Sequence, residues 1–288
     1  MTGKGQFSAL TQSGGGLPTT LAAGSAPGES GVRILSQRFQ GGLHVSGTPQ
    51  EHHICFQMSS LRIERRVAGR TLSHLAPEGG LSICPAGADF SADADENGTM
   101  LLVAIKPSQL KLAAAESSAF HAQLLEQLSV EDEMLFNSAR ALATESAAGY
   151  PSGPLCWNEI ARLFIDRLIA RYMSLPGSRP SPGVLDDKML GLLKDYILEH
   201  LDEPIEVAEL AATVRLSPFH FSRVFTRSVG ISPYRYVVHL RLRRAVQLVR
   251  ERRYSLADIA SRTGFADQSH LSRWIRRVYG VPLTRLTG

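Results

Sequence analysis

A chain of 288 residues, 43% apolar and 20% charged, is long enough for two domains with separate cores and lies outside the range of disordered or fibrous proteins. No apolar run approaches the roughly 18 residues of a membrane span. Lys4 is followed by a Gly, Ser and Thr stretch rather than a secretory signal, so a cytoplasmic protein with no membrane partner is expected.

The net charge of +4 conceals an asymmetry: residues 1–185 hold 14 basic and 16 acidic side chains, and residues 186–288 hold 17 and 11. From Leu210 onward 15 arginines face only Glu251, Asp258 and Asp267. A positive field so concentrated favours a polyanion. Cys55, Cys84 and Cys156 are odd in number and form no CxxC pair, so they are expected as reduced packing thiols, without a disulfide framework or structural zinc.

Residues 1–30 (TQSGGGLPTT, AAGSAPGES) have too few large apolar side chains to repay ordering and are expected as a mobile tail. VRILSQRF, HHICFQM, LRIERRV, GLSICPAG and TMLLVAIK follow, several with period-two alternation and Gly, Pro or Asp punctuation. They predict a small antiparallel sheet or barrel over 31–106. Helical spacing begins at Pro107 with SQLKLAAAES and continues over about Ala119–Ala148 and Leu155–Tyr172, predicting two long antiparallel helices. The first domain is thus expected to span 31–175. LPGSRPSPG, residues 175–183, suits a connector, placed at 176–185.

The remaining segment, 186–288, repeats itself. VAELAATVRLSPFHFSRVFTRSVG from Val207 answers LADIASRTGFADQSHLSRWIRRVYG from Leu256, at a spacing of 49 residues in the first helix of each unit and 50 in the second. Each unit, about 206–228 and 255–278, predicts a short Ala-bearing helix, a tight turn and a second helix, the form of a helix-turn-helix. Ser217 is expected as an N-cap with Pro218 at the first helical position. Phe221, Val224 and Phe225 then face inward, and Phe219, Ser222, Arg223 and Thr226 outward. In the second unit Leu271, Ile275 and Val278 face inward, leaving Gln268, Ser269, Ser272, Arg273 and Arg276 outward. Arginine suits guanine, glutamine suits adenine and apolar groups suit thymine methyls, so these faces fit the major groove of double-stranded DNA. Between the units, Pro233–Arg252 predicts a connecting helix with an apolar stripe at Val238, Leu242, Ala245 and Val249. Its length of roughly 30 Å approaches the pitch of about 34 Å between successive major-groove faces.

Over roughly Val184–Arg285 these stretches resemble the C-terminal domain of the AraC/XylS family of bacterial transcription regulators, through the GF pair, the QSHLSR helix start and the RLRRA connecting-helix sequence. The resemblance implies base reading by Phe219, Ser222, Arg223, Gln268, Ser269, Ser272 and Arg273. It implies phosphate contacts from helix N-termini and arginine-rich flanks, namely Ser217, Thr226, Arg227, Arg241, Arg243, Arg276 and Arg277. Three departures stand out. Arg215 occupies a turn position where Gly is usual, Ala266 stands at the usual cap of the second reading helix and weakens its start unless Asp267 takes over, and GVPLTRLTG lacks the family's terminal tyrosine.

Over about Val32–Leu112 the chain resembles the cupin-like sensor domains joined to this family, through RRVAGR, ICPAGADF and IKPSQL. That implies an α+β protein: an antiparallel cupin-like β-barrel, a helical hairpin, then an all-α DNA-binding domain. It also implies a small-molecule effector, RNA polymerase as a further partner, and a homodimer seam at Leu163, Ile165, Leu168 and Ile169.

The competing reading is a metal-dependent cupin-type enzyme. The His-x-His pattern it requires is missing from the sequence, and His44, His52, His53 and His74 are expected in structural or pocket-lining roles. Glu131, Asp132 and Glu133 suggest a solvated helix start. No nucleophile elbow or phosphate loop is present in the sequence, so neither catalytic residue nor cofactor is assigned.

Overall fold

The computed structural model describes residues 18–25, 31–40, 43–117, 119–174, 183–280 and 282. Residues 1–17 and 26–30 of the expected tail, residues 175–182 of the connector and most of the last nine residues lie outside them. The described chain divides into two compact units. One comprises the residues up to 107 and 124–173, and the other 108–123 and everything from 174 on.

The first unit holds two antiparallel sheets. The larger has the strand order β1-β2-β9-β4-β7-β10, with β1 Thr19–Ser25, β2 Val32–Phe39, β4 His52–Gln57, β7 Gly80–Cys84, β9 Gly98–Ile105 and β10 Gln127–Glu131. The smaller is β3-β8-β5-β6, with β3 Leu43–Gly47, β5 Leu61–Val67, β6 Arg70–Ala76 and β8 Phe90–Ala94. Alternation places Leu61, Ile63 and Val67 inward on β5 while its even-numbered neighbours are exposed. Part of the expected tail is a strand, because Thr19–Ser25 pairs with Arg33–Arg38 of β2, with one register shift at Leu21, and gains a row of backbone hydrogen bonds.

Helix α1, Pro107–Glu116, follows β9 as the spacing predicts. The helix expected over 119–148 starts only at Glu133. Gln127–Glu131 is instead edge strand β10 on β7, and α2 spans Glu133–Ala147. Asp132 sets that start: its carboxylate accepts from the Leu135 amide at 3.1 Å and from Arg167 at 2.9 Å and the Tyr172 hydroxyl at 3.2 Å. Asp132 is buried, not solvated as expected. Burial would raise its pKa, but the Leu135 amide and the Arg167 and Tyr172 bonds outweigh that and hold it below the ordinary carboxylate value.

Helix α3, Gly153–Tyr172, packs along α2, and Trp157 Nε1 donates to the Leu142 carbonyl and to Ser146 Oγ. Of the expected dimer seam, Ile165 and Leu168 are buried within the chain itself, where α3 packs along α2. Their apolar surface is already spent there. Leu163 is 54% exposed and Ile169 half-buried.

The second unit is all helical: α4 Asp187–Glu199, α5 Val207–Thr213, α6 Pro218–Val229, α7 Pro233–Glu251, α8 Leu256–Arg262 and α9 Gln268–Tyr279, together with α1 from far earlier in the chain. It has two cores. Leu112, Ala115 and Phe120 join Leu193, Ile197, Phe221, Phe225 and Tyr236 in one, and Val238, Leu242, Ala245, Ile259, Leu271 and Ile275 form the other. Residues 108–123, expected with the sheet, therefore supply part of the helical unit's core. Helix α7 enters both cores, with Tyr236, Val237 and Leu240 in the first and its expected stripe of Val238, Leu242, Ala245 and Val249 in the second. Among the described residues no helix is long and apolar enough to cross a membrane.

Candidate DNA-binding surface

The internal repeat is a repeat of structure down to the caps. The Glu206 amide donates to Glu209 ahead of α5, and 49 residues later the Ser255 amide donates to Asp258 ahead of α8. Asp258 N–H returns a bond to Ser255 Oγ, closing a capping box. The turns that follow place Arg215 at φ 56° and Gly264 at φ 68°, again 49 residues apart. Arg215 thus holds the left-handed conformation that a Gly would adopt more easily. At Gly264 space also excludes a side chain, since a Cβ would lie 2.2 Å from the Leu201 carbonyl oxygen.

Beyond the turns the spacing becomes 50. Ser217 caps α6 by accepting from the His220 amide, and Asp267 caps α9 by accepting from the His270 amide at 2.7 Å. The gained residue is Ala266. It is an insertion in the turn, and Asp267 takes over the cap, the alternative the sequence leaves open. Gly230 and Gly280 close the two helices in left-handed conformation.

With both helices so framed, their faces separate cleanly. Phe221, Val224, Phe225, Leu271 and Ile275 are buried. Phe219 is 76% exposed and Arg223 is exposed beside it, its guanidinium 5.9 Å from the Phe219 ring centroid. That cation–π contact holds the two exposed side chains together. Ser222 Oγ donates to the Pro218 carbonyl and Thr226 Oγ1 to the Ser222 carbonyl, so both hydroxyls present acceptor lone pairs outward. On α9, Gln268, Ser269 and Arg273 are exposed and Ser272 half-buried. Arg276 and Arg277 are exposed, with Arg277 5.2 Å from the Trp274 ring. Arg227 is exposed and reaches the Gly183 carbonyl at 3.3 Å.

Two more of the expected phosphate contacts, Arg241 and Arg243, are held less exposed or ion-paired by partners within the same unit. Arg241 is half-buried and donates to the Gly264 carbonyl at 2.9 Å and to the Glu203 carbonyl, tying α7 to the turn of the second unit and to the loop before α5. It is a structural clamp. Arg243 pairs with Glu116 of α1, and the same carboxylate bonds His239 Nε2. Burial pulls the His239 imidazole down to about 4. It therefore stays neutral near pH 7 and leaves Arg243 as the cation of the trio. Glu116 carries no signal in the sequence, because 123 residues separate it from His239.

The histidines tested as metal ligands have separate attachments in the first unit. His44 pairs with Asp93, His52 Nδ1 accepts from the Ala86 amide and His74 meets Ser129 Oγ, while His53 lines an interior cavity. Among the described residues no group of three or more His, Cys, Asp or Glu is placed to hold a metal ion. Cys55 and Cys84 line the same cavity, and burial pushes their thiols up to about 11 and about 12.

Two outward-facing helices on a tandem repeat, joined by a shared helix of roughly 28 Å, define a double helix-turn-helix domain. Residues 210–287 match the family model of a helix-turn-helix domain. The chain is 40% identical over 94 residues to a probable transcriptional regulator, LumQ, of Photobacterium leiognathi, a match covering 33% of this chain and 38% of that protein. It is 39% identical over 83 residues to the helix-turn-helix regulator GbdR of Pseudomonas aeruginosa, covering 29% of this chain and 23% of that protein. These matches span well under half of the relatives' own length. A structure of ToxT from Vibrio cholerae aligns over 89% of this chain and 98% of its own, at 12% identity and a TM-score of 0.37.

Proposed function

We propose that the chain is a transcription regulator that binds promoter DNA through its second unit and adjusts that binding through its first. The carrying observation is the pair of outward faces, Phe219, Ser222 and Arg223 on α6 and Gln268, Ser269, Ser272 and Arg273 on α9, each on a helix whose opposite face is buried. In the major groove arginine pairs with guanine O6 and N7, glutamine with adenine, and the Phe219 ring with a thymine methyl.

Phosphates are met by Ser217, Arg227, Arg276 and Arg277, by Thr226 once its hydroxyl turns from the Ser222 carbonyl, and by Arg243 once Glu116 releases it. A small molecule bound in the first unit shifts the equilibrium only if it prefers one of two arrangements. A homodimer using Leu163 and Ile169, and contact with RNA polymerase, complete the reading.

Binding-site selection on random DNA tests it. Arg223→Ala and Arg273→Ala are each expected to weaken specific binding by about 1 to 3 kcal/mol and to relax preference at one or two base pairs. Unchanged site profiles in both variants reject the assignment of readers.

A further inference from the structure

The first unit holds a buried charge that DNA binding does not use. On β5, whose odd-numbered residues face inward, the position between Ile63 and Val67 is Arg65, 3% exposed. Its Nη1 donates to the Leu128 carbonyl of β10 at 3.0 Å, while its Nη2 is buried without a hydrogen-bond partner. Among the described residues no carboxylate pairs with it. The thiol that faces it, Cys55, is held neutral by burial. A guanidinium taken out of water without a counter-charge is strongly unfavourable, and guanidinium does not escape by losing its proton at neutral pH.

Arg65 opens into a cavity of about 40 Å³ between the two sheets. Its other walls are largely apolar and include Phe39, Val45, Ile63, Phe90 and Met100. Gln57, also 3% exposed, lines the cavity with its Oε1 unpartnered. The cation calls for an anion, and the apolar walls disfavour a fully hydrated inorganic one. The small volume selects a short body.

We propose that this cavity binds a short-chain monocarboxylate, its carboxylate on Arg65 Nη2 and its alkyl part among Phe39, Ile63 and Phe90. The proposal deepens the reading of the first unit as the ligand-responsive part, and rests on it only for the consequence, not for the binding. Carboxylate on guanidinium is the charge-assisted pairing that the orphaned Nη2 lacks, and a ligand bound to the native state alone raises the melting temperature.

Thermal unfolding of the full chain, without DNA, is measured at constant ionic strength with 20 mM sodium propionate, butyrate or valerate, and with butyramide or sodium sulfate as controls. At least one acid is expected to raise the melting temperature by a few degrees, with no shift from butyramide or sulfate. Arg65→Gln, checked for folding by circular dichroism, is expected to lose the response while its DNA affinity without acid stays within about twofold of wild type. No shift with any of the three acids, an equal shift with butyramide or sulfate, or an undiminished response in Arg65→Gln would overturn the proposal. Should Arg65→Gln fail to fold, calorimetric titration of the wild type with butyrate against butyramide decides it, heat of binding for the acid alone being the expected result. Loss of DNA binding in the wild type would instead strike the reading of the second unit and leave these outcomes untouched.

Discussion

Arginine on a basic helix is assigned to phosphate by composition alone, and Arg241 shows where that assignment fails. Its terminal nitrogens serve the carbonyls of Gly264 and Glu203, both oxygens of irregular backbone that has no helix to satisfy them. Removing the donor leaves those carbonyls to be resolvated at a cost of roughly 1 to 3 kcal/mol. Arg241→Ala is therefore expected to lower the unfolding free energy by about that amount in denaturant titration, while its selected DNA site stays that of the wild type. A changed site would make Arg241 a reader. His53 belongs to the same scale. Burial beside Phe90 lowers its pKa from 6.5 to about 4, with Glu51 raising it and Arg33 lowering it by less. The folded value lies below the unfolded one, so the native state binds the proton less tightly. Its contribution to stability is complete above about pH 6.5 and is lost as pH falls toward 4. Thermal unfolding across that window should show the decline, and His53→Leu should reduce it, leaving the share of His239.

At the scale of elements, the telling one is α1. Its apolar residues Leu112 and Ala115 enter the core that also holds α4 to α7, and its last residue, Glu116, occupies Arg243 on the connecting helix. An arginine held by a carboxylate is not available to a phosphate. Glu116→Gln keeps the shape and removes the charge, and so frees Arg243. If Arg243 then neutralises one phosphate, the slope of log affinity against log salt steepens by about 0.9, and binding at low salt tightens. Fluorescence anisotropy over a salt series checks this, and an unchanged slope would remove Arg243 from the phosphate contacts. The segment after α1 shows why a helix expected from Ala119 begins only at Glu133. The backbone of Gln127–Glu131 finds a ladder on β7, and the cap that starts α2 is Asp132, buried against Arg167 and Tyr172 from a helix some 35 to 40 residues further on.

Taken as a whole molecule, the chain does not divide at one point along the sequence. Residues 108–123 belong to the second unit although the strand and helices on either side of them belong to the first. Phe120, 6% exposed, shares a core with Leu193, Phe221 and Tyr236. Phe120→Ala is expected to cost about 3 to 5 kcal/mol, as truncation of a buried aromatic does. The loss should fall on the helices from α4 onward, more than 60 residues away along the chain. Hydrogen exchange resolved by peptide would show faster exchange in α4 and α6 and little change in β4 or β9. The opposite distribution would return 108–123 to the sheet.

The sequence by itself determined the second unit's design, because each of its signals is local or periodic. A repeat at 49 and 50 residues, caps at Ser217 and Asp267, and helical faces of period 3.6 all lie within a few turns of the residues they control. The same holds for the inward and outward faces of β5 and for the strands with clear alternation. Only the tertiary structure decided the rest, through pairings between residues far apart in the chain. These include Thr19–Ser25 on β2, Glu116 on Arg243, Arg241 on two distant carbonyls, and α3 laid so that Ile165 and Leu168 are core. Arg65 falls between the two. Its inward register could be read from LRIERRV, but that it stands there with an unpartnered nitrogen follows only once two sheets close around it, because an unpaired charge has meaning only when water is gone.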